Sequence, residues 1–467
     1  MKARIIMFLS IVVALTACIN SSHKVSSTSN NKRLAIFQDG VVVNQAQGIW
    51  LSEEYGWLLN IGNNGIERWQ YTQDYCYPSP QDADTFMGSV EYRFITRLSQ
   101  DIAKFEYLKS DGNTIYQKLD MLPKHCDIKA DFTQTELLQV FISIFKKHYT
   151  FFQQRGVDFH SAADLAQQNI NDESSDSELY QAMTDLIKPL NDSHTKLLAT
   201  INGNKHRYQN GLGQTLPFIR DTIGETPWLI GLIEQTVDLL DDGAEHTAND
   251  RVLWGTLNNG KVGYIKIFTM GGFTTEFQPG TQQWAEAELE YMDQLFGRIM
   301  LKFQTVDSVI IDLSNNRGGY DAIARKLSSY FTDKAFLAYS VSTSWEELSP
   351  YEYWVSPADG PRYTGPVSVL TSDVTVSGGE IATMTLRQLP NVKHMGQTTR
   401  GAFSTPLAKP LPNDWYLELS NEIFKAPNGV SYEGKGIEPS EMFDVFNPAN
   451  PVKSHAQAVK KAIRLSP

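Results

Sequence analysis

The sequence predicts a layered α/β core, preceded by a helical segment and a small all-β domain. Three observations carry this. From Val252 onward, apolar strand-like runs alternate with helix-period segments, the pattern of a layered α/β unit. Between Phe132 and Leu190, apolar residues recur at helical spacing behind capping signals. Before that, from Arg33 to about Ala130, short β-prone runs are separated by Gly, Asn and Asp turns. The chain has 467 residues, too many for one ordinary core. Apolar residues make up 41% and charged ones 20%, as in a globular protein. The formal net charge is −12 and no Lys/Arg block stands out, which argues against a nucleic-acid partner.

The first residues read as a leader. Lys2 and Arg4 precede an apolar run, 5–15, that is too short to span a bilayer as a helix. Leu15-Thr16-Ala17-Cys18 follows and resembles the lipobox of bacterial lipoprotein precursors. The resemblance implies cleavage of residues 1–17 and lipid attachment at the Cys18 thiol. The protein would then be anchored in the bacterial cell envelope, facing the periplasm. Ile19, where an Asp would signal retention, favours the outer membrane over the inner. The alternative is a plain signal peptide cut near Ala17. Residues 18–32 are Ser/Asn-rich and read as a disordered tether, with a reach of roughly 20 Å.

Residues 33–130 form the expected β-rich domain. Strands are expected at 34–37, 56–61 and 90–94, with hairpin signals at Asp39-Gly40 and Asp111-Gly112. Cys76 and Cys126 fall in this region. In an oxidising compartment they either pair, closing a loop of about 50 residues worth up to roughly 4 kcal/mol, or remain two half-buried thiols. The sequence of this domain offers no chemistry.

Residues 131–200 are expected to be helical. Thr133-x-x-Glu136 is a capping box ahead of Leu137, Phe141, Ile144, Phe145, His148 and Phe152 on one face. His148 there is expected to be a core or boundary histidine. Asp176 is expected to cap a second helix, which buries Leu179, Met183, Leu186, Ile187 and Leu190 and ends in a turn at 191–195. Residues 201–251 are Gly-rich and read as an irregular insertion or lid, with one apolar run at 228–233. In the core, 252–467, strands are expected at 263–267, 309–313, 366–370, 392–395 and 415–419. Helices are expected at 285–303, at 321–331 and from the Ser377 turn to about Leu389.

Val374-Thr375-Val376-Ser377-Gly378-Gly379-Glu380-Ile381 reads as strand, sharp turn, helix. A serine at a helix N-terminus meets free N–H groups and the positive end of the dipole, as an acyl-transfer nucleophile requires for its oxyanion. The same Ser-x-x-Glu spacing also fits a capping box.

Further segments join it in order. Residues 311–319, Ile-Asp-Leu-Ser-Asn-Asn-Arg-Gly-Gly, resemble the Asp-Leu-Arg-x-Asn-x-Gly-Gly turn of the tail-specific and C-terminal-processing serine peptidases, which share a core with tricorn protease. Ser377-Gly378-Gly379-Glu380 resembles their Ser-x-x-Glu nucleophile turn. Residues 396–401 are similar to their Gly-Glu-x-Thr-x-Gly segment, and 433–439 to their Glu-Gly-x-Gly-Ile-x-Pro segment. Asp192-Ser193-His194-Thr195 resembles their Asp-x-His-Thr turn. The resemblance runs from about Phe132 to the C-terminus and implies a ClpP/crotonase-like core. Two departures matter. Nothing between Thr200 and Arg251 reads as a PDZ domain. Ala402 stands where the Ser/Lys branch has its lysine.

The resemblance implies the tricorn-like branch, with Ser377 as nucleophile, His194 as general base, and Ser193 and Glu433 supporting the imidazole. Oxyanion donors would come from Gly378 and from the Gly318-Gly319 turn. These residue types suit the chemistry: a serine hydroxyl needs a base, imidazole can accept its proton, and a carboxylate can stabilise the imidazolium. Lys435, the nearest rival base, lies between glycines and is expected to be exposed. The implied activity is hydrolysis of protein or peptide substrates with no metal or cofactor. Two other readings use the same fold: a non-catalytic lipoprotein binding a peptide or a small apolar ligand, and a crotonase-like acyl-CoA enzyme. No CoA pocket can be located in the sequence for the second.

Overall fold

The computed structural model describes residues 32–63, 65–79, 92–106, 113–126, 131–344 and 349–466. The expected leader, Cys18, all of the tether but its last residue, and the Asp111-Gly112 turn lie outside the described residues.

The N-terminal domain is one eight-stranded sheet in the order Leu34–Ala35, Phe94–Arg97, Ile102–Glu106, Asn113–Leu119, Gly48–Ser52, Trp57–Ile61, Ile66–Tyr71, Cys76–Pro78. Its pairings are antiparallel. Trp50, Leu59, Ile95, Phe105 and Tyr116 form its core. Asp39 and Gly40 both take positive φ, 51° and 80°, between the short strands Phe37–Gln38 and Val41–Val42, as a primed hairpin turn requires. Cys76 and Cys126 are joined by a disulfide, which decides between the two alternatives left by the sequence.

The first helix, Gln134–His148, carries the expected Thr133/Glu136 capping box and buries Leu137, Phe141, Ile144, Phe145 and His148 of the expected face, whereas Phe152 begins a separate short helix, Phe152–Arg155, and is half-buried. The second, Asp176–Ile187, is capped one residue earlier than expected. Ser175 Oγ accepts from the Glu178 N–H at 3.3 Å, and Glu178 Oε2 accepts from the Ser175 N–H at 2.8 Å. Asp176 falls in the first turn, where its charge suits the helix dipole.

The segment 201–251 is not irregular. It holds helices Thr215–Thr222 and Glu225–Leu239 between strands Asn204–Gln209 and Glu245–Thr247. Pro217 and Pro227 are tolerated because each sits in a first helical turn, where a missing N–H is harmless. The apolar run is a helix face: Trp228 and Leu232 are buried, while Leu229 and Ile230 are exposed.

The core is a seven-stranded sheet in the order Glu245–Thr247, Val252–Leu257, Val262–Ile267, Ser308–Asp312, Val367–Thr371, Val392–Gly396, Glu441–Met442. The strands from Val262–Ile267 onward run parallel. Parallel sheets are covered on both faces. Val309 and Ile311 pack with Phe296 and Ile299 of the Gln282–Lys302 helix, on the face that also receives Ile381 of the Gly378–Leu386 helix. Ile310 points the other way, to Trp228, Leu232 and Val459 of the Pro451–Leu465 helix. Among the described residues no helix is long and apolar enough to cross a membrane.

A second, antiparallel sheet orders Asn204–Gln209, Lys196–Ile201, Tyr416–Ser420, Pro406–Pro410. Strand Lys196–Ile201 begins just after His194, and strand Pro406–Pro410 just after the segment 402–405. This sheet therefore brings the 191–195 turn beside the segment that follows Gly401.

Candidate active site

Ser377 lies beyond the carboxyl end of strand Val367–Thr371, where open α/β sheets place their sites. The loop between them is fixed by buried hydroxyls. Ser372 Oγ donates to the Ser314 carbonyl at 2.6 Å, and Thr375 Oγ1 donates to the Leu313 carbonyl at 2.8 Å. These bonds tie the Ser377 loop to the loop after strand Ser308–Asp312.

Ser377 has φ 57° and ψ −123°. An ordinary cap has extended backbone. Ser377 and Glu380 also form a capping box, but the other two boxes among the described residues are extended, with Thr133 at −74°, 166° and Ser175 at −75°, 159°. Capping alone does not ask for positive φ, so the strain at Ser377 needs another reason. Glu380, fully buried, is the hub of the elbow. Its carboxylate accepts from the Ser377 N–H at 3.2 Å, Thr399 Oγ1 at 2.6 Å, the Gly401 N–H at 2.6 Å and the Ala402 N–H at 2.8 Å. Burial nonetheless pushes its carboxyl above the usual range.

The glycine turn abuts the serine. Gly318 has φ +80°, and a Cβ there would stand 2.7 Å from Ser377 Cβ, so only glycine fits. Its own N–H, however, donates to Asn316 Oδ1 at 2.9 Å, which removes Gly318 from the expected oxyanion donors. Gly319 is different. It forms a parallel bridge with Met270 whose two hydrogen bonds use the Gly318 carbonyl and the Tyr320 N–H, leaving the Gly319 N–H to face away from the bridge. That nitrogen lies 3.1 Å from where a Cβ on Gly378 would stand. The Gly319 amide thus lies against Gly378, the residue that follows Ser377. The turn is held from below by Asp312. Its Oδ1 accepts from Ser314 Oγ at 2.6 Å, and its Oδ2 meets Lys266 at 2.9 Å and His455 at 2.7 Å. Burial works against the charge, but Lys266 and His455 hold the Asp312 carboxyl well below the usual range.

His194 sits on the 191–195 turn, 7% exposed. The turn is closed by Asp192, whose Oδ1 accepts from the His194 N–H at 2.9 Å and whose Oδ2 accepts from Tyr149 at 3.0 Å and Thr195 at 3.2 Å. Burial pushes the imidazole down to about 4, against the pull of Asp192. The ring is therefore neutral at pH 7, the state a general base requires. His194 Nδ1 and Ser193 Oγ are both buried without a hydrogen-bond partner.

Glu433 is buried near the same turn, but it does not touch the imidazole. Its Oε2 accepts from the Phe403 N–H at 2.7 Å and the Ser404 N–H at 3.0 Å, and its Oε1 pairs with Arg155 at 3.0 Å. The direct carboxylate–imidazole contact that the sequence left open is absent, because both oxygens are engaged. Burial, then Asp192, push its carboxyl up to about 8, against Arg155 and the two amides. Arg155, which sequence reasoning missed, also donates to the Leu190 and Asn191 carbonyls at 3.0 and 2.9 Å. It staples the histidine turn to Glu433.

The segment 402–404 is the common wall. Ala402 O accepts from the Ser377 N–H at 3.1 Å, Ser404 N–H reaches Glu433, and the Ser404 backbone faces His194. No hydrogen bond among the described residues joins Ser377 Oγ to the His194 ring; in unliganded sites such bonds are commonly long. Lys435 is exposed, as expected. The buried lysines are spoken for: Lys266 by Asp312, and Lys409 by the Tyr55 and Gly56 carbonyls and Gln70. Among the described residues no group of three or more His, Cys, Asp or Glu side chains is placed to hold a metal ion.

Residues 261–442 match the family model described as peptidase family S41. Over that span the α/β core is similar to the peptidase family S41 domain. That span contains the glycine turn, Ser377, Glu380 and Glu433; His194 lies before it. Solved structures are similar in fold to the chain beyond this span. A putative peptidase from Parabacteroides merdae ATCC 43184 is 19% identical, with TM-score 0.58, over 72% of this chain and 97% of its own. Mature CPAF is 14% identical, with TM-score 0.52, over 71% of this chain and 97% of its own. Mature CPAF complexed with lactacystin is 14% identical, with TM-score 0.51, over 71% and 98%. At these identities the likeness is one of fold alone.

Proposed function

We propose that this protein is a serine endopeptidase that cleaves proteins or peptides through an acyl-enzyme. The observation that carries this reading is the strained backbone of Ser377, set at a helix N-terminus with the Gly319 amide against Gly378. Ser377 Oγ attacks the scissile carbonyl while His194 takes its proton. The Gly319 and Gly378 N–H groups stabilise the oxyanion. Collapse of the tetrahedral intermediate breaks the C–N bond, and the histidine returns the proton to the leaving amine. Water, deprotonated by the same histidine, then hydrolyses the acyl-enzyme. We assign Ser193 Oγ and His194 Nδ1, each buried without a partner in the unliganded structure, to pair with one another when substrate binds, fixing the tautomer that leaves Nε2 free. Asp192 and Glu433 act through the field and through the backbone they hold.

The test is labelling by a fluorophosphonate probe, wild type against Ser377→Ala. Capture by the wild type at Ser377 and none by the variant supports the reading. A folded wild type that takes no probe refutes it and leaves a binding protein. The Leu15–Cys18 pattern adds a proposal about place: lipid on Cys18 anchors the enzyme in a bacterial envelope, facing the periplasm. Expressed in a Gram-negative host, the wild type should partition into detergent, and Cys18→Ser should not. A soluble secreted wild type would overturn the anchor.

A further inference from the structure

The N-terminal sheet has no chemistry of its own, yet its turn 53–56 is packed against both segments that frame the histidine. We propose that this turn positions the catalytic base, with Tyr55 and Glu422 as positioning residues; the inference rests on the serine-peptidase reading above.

One route runs through Glu422. Tyr55 OH donates to Glu422 Oε1 at 2.7 Å across the domain boundary. The Glu422 carboxylate also draws on the hydroxyl and amide of Thr405, and its own N–H donates to Ser404 Oγ at 3.0 Å. Ser404 is the residue whose N–H binds Glu433 and whose backbone faces His194. A second route uses the end of the Gln134–His148 helix. The Glu54 carbonyl meets His148 Nδ1 at 3.2 Å. The next residue, Tyr149, holds Asp192, which holds the His194 N–H. Both routes end on His194, one at its ring and one at its backbone N–H.

The turn is seated with unusual care for a mere contact. Gly56 passes so close to the His148 ring that a Cβ there would lie 2.3 Å from Nε2. Lys409, 1% exposed, reaches out of the core to the Tyr55 and Gly56 carbonyls and Gln70 Oε1. Glu54 accepts from Thr343 Oγ1 at 2.9 Å. Burying a lysine among neutral acceptors costs stability, whereas apolar area would dock the domain more cheaply. Polar docking of this kind specifies one register, which is what a positioning element needs.

The test is the rate of fluorophosphonate labelling at Ser377 in the full chain. Tyr55→Phe removes one hydroxyl and keeps the ring stacked on Trp57. Labelling and kcat should fall about tenfold, the worth of one charge-assisted hydrogen bond, with KM for a peptide substrate little changed. The acid limb of kcat/KM should also move up in pH, because a loosened wall hydrates His194. Glu422→Ala should lose at least as much. Lys393→Ala, which cuts a surface ion pair to Glu441 away from the 53–56 turn, should stay within about twofold of wild type. A labelled wild type with Tyr55→Phe at the same rate and the same acid limb overturns this inference alone. A wild type that takes no probe overturns the peptidase reading and this inference with it.

Discussion

Replacing Ser377 by glycine should make the protein inert and more stable at once. Serine at φ 57°, ψ −123° is held where side chains rarely go, at a cost of about 1–3 kcal/mol. Glycine adopts the same angles freely but adds about 0.5–1 kcal/mol of unfolded-chain entropy. The balance is a gain of about 1 kcal/mol. If Ser377 served only as a helix cap, glycine would cost a few tenths of a kcal/mol instead. The sign of the change thus separates the readings. Ser175 is the internal control, since its extended backbone has no strain to release. Urea unfolding followed by tryptophan fluorescence gives the stabilities of wild type, Ser377→Gly and Ser175→Gly. Turnover of Ser377→Gly should fall by roughly 10³-fold or more. The reasoning fails if Ser377→Gly is destabilised as much as Ser175→Gly.

Other outcomes follow from the same geometry. Burial holds the His194 imidazole neutral, so kcat/KM should fall only as pH drops through about 4, below the roughly 6 to 7 of an ordinary histidine base; a limb at 6 to 7 in the pH–rate profile contradicts this. The same depression makes His194 a source of stability that is complete above its ordinary value and lost as pH falls toward 4, visible in acid unfolding of wild type against His194→Gln. Arg155→Met leaves Asp192 and Glu433 buried without their cation and should cost about 3–5 kcal/mol in chemical denaturation; an unchanged midpoint would refute the staple. His194→Ala should abolish turnover with the fold intact, whereas Lys435→Ala, on an exposed turn, should keep most of it; the reverse pattern in an initial-rate assay would require a Ser/Lys site.

Much of this was legible in local pattern. Thr133-x-x-Glu136 marked a helix start to the residue, and Ser377-x-x-Glu380 marked the elbow, although the β-branched run 374–376 before it is loop and not the expected strand. The glycines at 318 and 319 marked a close approach. What the sequence could not supply was pairing over distance. Arg155 precedes Glu433 by 278 residues, and nothing around either names the other. The choice of Gly319 over Gly318 depends on a bridge to Met270, which no spacing reveals. The helices within 201–251 were hidden by a glycine-rich composition, although Gly213 lies just before the first helix and Gly224 is the N-cap of the second.

The two amides beside Ser377 belong to different layers. Gly319 is held by its bridge to Met270 at the edge of the sheet, Gly378 by the first turn of the helix above it. Their separation is therefore a property of how the helix rests on the sheet, through contacts such as Ile381 and Ile267 in one core. A methyl group added or lost there, far from any substrate, shifts that separation by fractions of an ångström. Affinity would hardly register it, while oxyanion stabilisation depends on donor distance. Laboratory evolution of this enzyme for speed should accordingly gather substitutions in the dry seam between helix and sheet rather than along the cleft.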